Sequence, residues 1–120
     1  MNPAEDLLAI HLAELGLRFV RQWRYAKGRR FRADFAVWRT IFIPDEPPES
    51  SYIEQRFALI EVTGGVYTRQ AHGSITGVLI DNTRLYFAFL ADWPMLRFTP
   101  EQVENGTAKA LIEAALGRKA

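Results

Sequence analysis

The periodicity of apolar and polar positions changes several times along the chain. Over residues 3–16, leucines recur at helical spacing and Gly16 follows as a stop signal, which predicts an amphipathic helix. Residues 18–25 and 30–43 are rich in aromatic and β-branched side chains, a composition typical of strands. The Lys27-Gly28 turn between them predicts that these two strands form a hairpin.

The middle of the chain is less regular. Residues 44–51 are polar and rich in proline, which predicts a surface loop, and residues 57–63 then form the most apolar strand candidate. Residues 74–92 are apolar around most of a helical circumference, so periodicity alone leaves two alternatives. One is a buried helix, and the other is a hairpin that turns at Asp81-Asn82.

The C-terminal segment carries a clear helix start. A short strand is predicted at residues 94–98, and Thr99 then takes the N-cap position, followed by a proline at the first helical position. Gln102 stands at the capping-box position. These signals predict one helix that runs to about Leu116 and is ended by Gly117.

The composition is that of a folded globular protein, with 48% hydrophobic and 24% charged residues in 120. This length fits one domain. The chain has no cysteine, which excludes disulfides and thiolate metal sites and favours a cytoplasmic location. The acidic N-terminal segment differs from a signal peptide, and no apolar run is long enough to span a bilayer, so no membrane association is expected.

Basic residues are concentrated in one part of the chain. Seven of the fifteen Lys and Arg residues lie between positions 18 and 32, with no acid among them. A basic face on a nearly neutral protein predicts an anionic ligand such as nucleic acid, although a solvated cationic hairpin would have the same composition.

Two carboxylates interrupt strands that are otherwise apolar, Asp34 in FRADFAVW and Glu61 in ALIEVTGG. Strict alternation places Asp34 on the face of Trp38 and Glu61 on the face of Leu59, so the acids share one face if the strands are neighbours. Unpaired buried carboxylates are costly. Either arginines form internal salt bridges with them, Arg32 with Asp34 for example, or a divalent cation such as Mg²⁺ binds both.

Three sequence blocks, RRFRADFAVW, ALIEVTGGVYTR and WPMLRFTPEQV, resemble the PD-(D/E)XK nuclease superfamily. The likeness extends from residue 22 to about residue 116. It is strongest to small phage and bacterial endonucleases akin to very-short-patch-repair endonucleases. The resemblance implies a restriction-endonuclease-like mixed β-sheet flanked by helices, with a helix over residues 74–92. The expected order is then α-β-β-β-α-β-α in a single α/β domain, residues 1–120.

The resemblance also implies a function, a Mg²⁺-dependent DNA endonuclease acting in repair, recombination or processing, with Mn²⁺ as a substitute for Mg²⁺. A homodimer would be needed to resolve symmetric DNA. Thr63 stands where the superfamily pattern has a lysine. This departure keeps open an alternative, a non-catalytic DNA-binding module on a degenerate nuclease fold.

Individual roles follow from the same resemblance. Asp34 and Glu61 would bind the metal together with the backbone carbonyl of Val62. Thr63 would hold a water or donate to phosphate, and Gln22, where relatives carry Glu, would orient the attacking water. The missing cation would come from Arg84 on the following helix. The residues expected to contact DNA are Arg24, Lys27, Arg29, Arg30, Arg32, Arg69 and His72.

Overall fold

A computed structural model describes residues 2–28, 30–42, 52–63 and 75–117. Within them the chain forms a mixed α/β structure whose eight elements follow in this order: α1 (Pro3–Glu14), β1 (Arg18–Arg24), β2 (Arg32–Phe42), β3 (Tyr52–Val62), α2 (Ile75–Leu90), β4 (Met95–Phe98), α3 (Pro100–Glu104) and α4 (Thr107–Ala115).

The four strands form one mixed sheet in the order β1-β2-β3-β4. The β1–β2 and β2–β3 pairs are antiparallel, as expected for strands that follow one another through short connections. The short strand β4 pairs in parallel with the inner end of β3, from Leu59–Met95 to Val62–Phe98. A parallel pair needs a crossover, and α2 lies between β3 and β4 in the chain.

Helices cover both faces of the sheet. On one face, α1, α3 and α4 bury their apolar side chains against alternate positions of β2 and β3; the fully buried ones include Leu8, Leu12, Val103, Ile112, Phe35 and Ile60. On the other face, Ala88 of α2 and Trp93 pack against Ala36 and Leu59. The central strands are therefore buried on two sides, and a carboxylate on either strand must find a partner inside the protein.

The predicted start of the C-terminal helix is confirmed. The Thr99 hydroxyl accepts the Gln102 N–H at 3.2 Å, and the Gln102 side chain accepts the Thr99 N–H at 2.9 Å, which is a capping box. The predicted length is wrong, because the segment forms two helices, α3 and α4. Gly106 between them has φ +85°, a left-handed conformation that ends a right-handed helix.

Two other elements can be compared with the sequence pattern. A helix is observed at Ile75–Leu90, within the ambiguous segment 74–92. Strand β3 begins at Tyr52, five residues before the apolar run that predicted it, because its outer half is solvent-exposed and pairs with the outer half of β2. The proline-rich loop predicted at 44–51 lies outside the described residues. In the part of the chain that is described, no helix is long and apolar enough to cross a membrane.

Candidate functional site

The two strand acids lie where β2 and β3 separate. The pairing between these strands ends at Phe35–Ile60. Asp34 and Glu61 would be the next pair in register, but they are not paired through their backbones. Instead, Oδ2 of Asp34 accepts the Val62 N–H at 2.8 Å. The Asp34 side chain thus takes the place of a backbone acceptor and is fixed between the two strands.

The two acids have different neighbours. The charge of Asp34 raises the pKa of Glu5 on α1, whereas Glu61 forms an ion pair with Arg84 of α2, and these helices cover opposite faces of the sheet. Strict alternation fails at this point of β2, since Ala33 packs with Ala36 rather than on the face of Phe35.

Strand β1, which pairs with β2, has an irregular backbone at the position opposite Asp34. Gln22 has φ +55°, which is uncommon for a residue with a side chain. It lies between the Arg21–Phe35 and Trp23–Ala33 pairs, and therefore beside Asp34 on the adjacent strand. Because such backbone conformations often accompany functional sites, this irregularity marks the same region of the sheet as the two acids.

Glu61 is buried, with 4% of its surface exposed, and it is held by two arginines. Oε1 accepts a hydrogen bond from Arg84 of α2, and Oε2 lies 3.3 Å from Nε of Arg97 on β4. Two cations from different elements thus compensate one buried acid. This is the internal salt-bridge arrangement that the sequence left open for Glu61.

Arg84 connects three parts of the site. Besides Glu61, its guanidinium donates to the backbone carbonyl of Arg32 at 2.9 Å and lies 5.6 Å from the ring centre of Phe31. Burial lowers the pKa of Arg84, but the hydrogen bond and charge of Glu61 outweigh this and raise it above the ordinary value. Arg84 is therefore a permanent cation, three-quarters buried beside Glu61 and near Asp34.

Glu5 is a third acid of the site, and sequence reasoning did not identify it. Burial raises the pKa of Glu5, the nearby charge of Asp34 raises it further, and Arg21, whose guanidinium lies 3.9 Å away, opposes both effects. An acid in the first turn of a helix is ordinary. Only the packing of α1 on the sheet brings Glu5 to Asp34, so the sequence carries no local signal for this contact.

Tyr25 is the other group that the sequence did not single out. Its ring is buried and stacked against Phe31, and its hydroxyl has no hydrogen-bond partner among the described residues. Burial raises the pKa of Tyr25. The Tyr25 ring and the Arg84 guanidinium lie 6.3 Å and 5.6 Å from the ring centre of Phe31, so Tyr25 belongs to the same cluster as Arg84.

The β1–β2 turn forms an open basic depression next to Tyr25. Its lining includes Arg24, Lys27 and Arg30, all exposed, together with Tyr25, Ala26 and Gly28. Arg32, at the start of β2, is also exposed. Of the other residues expected to contact DNA, Arg29, Arg69 and His72 lie outside the described residues.

The remaining expected site residues are placed as follows. The Gln22 side chain is exposed. Thr63 is the residue after β3, and its N–H donates to the Phe98 carbonyl at 2.9 Å. Val62 contributes its N–H to Asp34, and its side chain is buried in the core.

The donor set fits a magnesium ion in chemical type. Among the described residues, no group of three or more acidic or histidine side chains is arranged to hold a metal. Mg²⁺, however, often binds proteins through one or two carboxylates and keeps several waters. Asp34 and Glu61 supply two such carboxylates, but both Glu61 oxygens face arginines. A cation at Glu61 therefore has to replace a guanidinium.

No protein-family model, curated protein or solved structure matches this chain.

Proposed function

We propose that the protein is a metal-dependent DNA endonuclease with a restriction-endonuclease-like fold. The observation that supports this best is the convergence of Asp34, Glu61 and Arg84 from three elements, β2, β3 and α2. They meet where the sheet opens, beside the basic depression at the β1–β2 turn. Acids and a permanent cation next to a basic surface are groups that phosphodiester hydrolysis can use.

Each residue has a physical role in this proposal. Asp34 and Glu61 would hold Mg²⁺ or Mn²⁺, and the ion would supply activation of water and stabilisation of charge on the phosphate. Arg84 supplies the positive charge of the superfamily's lysine, in whose place this chain has Thr63. The exposed residues Arg24, Lys27 and Arg30 bind backbone phosphates, contacts that give affinity and position without reading the base sequence.

A second candidate is a non-catalytic DNA-binding module on the same fold. It is favoured by the two arginines that already compensate Glu61, because an acid held in this way needs no metal. The basic depression would still bind DNA, and the carboxylates would serve only to hold β2, β3 and β4 together.

Cleavage assays separate the two candidates. Wild-type protein is incubated with plasmid, mismatched and branched DNA in Mg²⁺, Mn²⁺ or EDTA, next to Asp34→Asn. Glu14→Gln is the control, because it removes the same charge at an exposed α1 residue that pairs with Lys109. We expect metal-dependent cleavage by wild type and by Glu14→Gln, and none by Asp34→Asn, which should still bind DNA.

Binding without cleavage on every substrate and with both metals would support the non-catalytic module. Failure of wild-type protein to bind any of these DNAs would rule out both candidates.

A further inference from the structure

We propose that the exposed face of α2 is the interface through which two copies of this chain form a two-fold dimer. This face, the α2 patch, consists of Leu85, Tyr86, Phe89 and Leu90. The proposed interface is independent of the proposed nuclease function, because none of these residues belongs to the site of Asp34 and Glu61.

The α2 patch is apolar where the outer surface of a helix is usually polar. Its four residues follow at positions i, i+1, i+4 and i+5, so they form one stripe about 140° wide. Phe89 is 78% exposed, and Tyr86 and Leu90 are each 57% exposed. The opposite side of the helix is already packed, since Ala88 is buried with Trp93 against the sheet. Scattered apolar side chains on a surface are ordinary, but a contiguous group of them indicates an interaction site.

The shape of this surface suits a second copy of the same chain. An open groove of about 400 Å³ lies beside the patch, and its lining residues are Leu85, Phe89, Asp92, Trp93, Pro94 and Met95. The surface therefore has an exposed aromatic side chain, Phe89, next to an apolar groove. A two-fold interface uses the same surface on both partners and must be self-complementary. A two-fold axis through the patch meets this condition, because it allows Phe89 of each copy to enter the groove of the other.

The charges beside the groove are also self-complementary. Asp92 is exposed and lines the groove. Arg56 of β3 is exposed as well; its guanidinium donates to the Ala91 carbonyl at 2.8 Å and lies 4.8 Å from the ring centre of Trp93. A two-fold arrangement can therefore place Arg56 of each copy next to Asp92 of the other. A partner whose surface carried charges of one sign only would be attracted by one of these residues and repelled by the other.

The size of the patch agrees with a dimer interface. Since a fully buried aromatic side chain accounts for about 150–250 Å², the exposed fractions of the four residues correspond to about 400 Å² of apolar surface per copy. A standard interface buries about 800 Å² per partner, of which about 56–58% is non-polar. The α2 patch thus supplies most of the apolar area that a stable dimer needs. The segment that precedes α2 offers little to cover this area, because residues 64–74 contain only two large apolar side chains, Val66 and Tyr67.

Sedimentation velocity over a range of protein concentrations measures the proposed dimer. We expect wild-type protein to dimerise reversibly with a dissociation constant of about micromolar order, the weak end of the range for interfaces of this size. Phe89→Glu removes the exposed ring and adds a charge, so it should weaken dimerisation about thirtyfold or more, the effect of losing an aromatic anchor. Leu111→Glu is the control, because it adds the same charge at a residue of α4 that is 52% exposed and lies outside the patch; it should dimerise as wild type does.

Chemical cross-linking locates the interface without relying on Phe89→Glu. The chain has no cysteine, so Tyr86→Cys and Leu111→Cys each introduce a single thiol. Both variants are treated with a bis-maleimide at a protein concentration where wild type is dimeric. We expect a covalent dimer from Tyr86→Cys and none from Leu111→Cys.

Three results would overturn the proposal. One is a wild-type protein that remains monomeric at every concentration, which would leave the α2 patch to a different partner. Another is a dimer that Phe89→Glu, shown by circular dichroism to be folded, does not weaken. The third is cross-linking of Leu111→Cys that equals or exceeds that of Tyr86→Cys, since the contact would then lie on another surface. None of these results bears on DNA cleavage, which is measured separately.

Discussion

Glu61 and Asp34 carry the same charge in neighbouring strands but are compensated by different groups. Glu61 is held by Arg84 and Arg97, whereas Asp34 accepts a backbone N–H and lies close to another acid, Glu5. Loss of the charge therefore has different consequences at the two positions. At Glu61 it leaves two partly buried cations without their acid; at Asp34 it removes a repulsion.

We expect Glu61→Gln to lower the free energy of unfolding by about 3–5 kcal/mol, the cost of breaking a buried ion pair from one side. Asp34→Asn should change it by less than about 1 kcal/mol, because the amide oxygen can still accept the Val62 N–H. Urea unfolding of both variants in EDTA measures the difference. A loss at Asp34→Asn as large as that at Glu61→Gln would contradict this description of the site.

Glu5 makes stability depend on pH. Its pKa is raised in the folded protein, so the folded state binds its proton more readily than the unfolded state between the ordinary and the raised pKa. The stability contributed by Glu5 therefore rises as pH falls through that window, and its ionised form is unfavourable at neutral pH.

Glu5→Gln should accordingly stabilise the protein at pH 7 by about 0.5–1 kcal/mol, the size of typical surface charge interactions. The gain should disappear below the ordinary glutamate pKa, about 4.3, where Glu5 is protonated in both states. Urea unfolding at both pH values is the measurement, with the exposed Glu14→Gln as control. A gain that persisted at low pH would show that it arises from something other than charge.

The sequence marks the residues that are locally anomalous and misses those that are ordinary. Asp34 and Glu61 can be recognised as candidate site residues from the sequence, because carboxylates are uncommon in apolar strands. An arginine in β4 and a glutamate in the first turn of α1 are unremarkable, so Arg97 and Glu5 were found only from the packing. The roles proposed for the site residues in DNA cleavage remain predictions.

At the level of elements, the sequence identifies helix starts better than helix interruptions. The capping box at Thr99 is a local pattern of side chains and is readable directly. The break at Gly106 leaves a weaker local signal, because a single glycine inside a helical pattern is tolerated. In one continuous helix Val103 and Ile112, nine residues apart, would lie on opposite sides, whereas the two separate helices α3 and α4 bury both residues in the same core.

Gly106 provides a test of this interruption. A Cβ at this position would meet no atom within 4 Å, so any cost of Gly106→Ala comes from the left-handed backbone, φ +85°, and not from a clash. We expect a loss of about 1–2 kcal/mol in the free energy of unfolding. Gly106→Asn should lose less, because asparagine tolerates this conformation. Equal stability of wild type and Gly106→Ala in urea unfolding would mean that the junction adopts another backbone conformation.

At the level of the whole molecule, charge is distributed unevenly over a nearly neutral chain. The net charge is +1, yet Arg24, Lys27 and Arg30 lie together around one depression, which Tyr25 also lines. A local positive surface of this kind attracts polyanions even when the total charge is small. The net charge alone gave no indication of this surface, whereas the position of the basic run in the sequence did.

Lys27→Ala combined with Arg30→Ala should weaken binding of duplex DNA about equally across base sequences. The magnitude of the slope of log K against log salt should fall by about 0.9 for each phosphate that the variant no longer neutralises. Arg39→Ala with Lys109→Ala removes the same charge away from the depression and should leave the slope nearly unchanged. An identical slope for wild type and Lys27→Ala/Arg30→Ala would exclude phosphate binding at the β1–β2 turn.

The parallel pairing of β4 with β3 also bears on the order in which the protein folds. Strands β1 to β3 are consecutive and pair with their chain neighbours, whereas β4 reaches β3 only after a crossover that includes α2, which costs more chain entropy. Arg97 belongs to β4, so we expect the buried acid to acquire its second cation at a late stage of folding. In native-state hydrogen exchange, the amide of Leu96 should therefore open at lower free energy than that of Phe35.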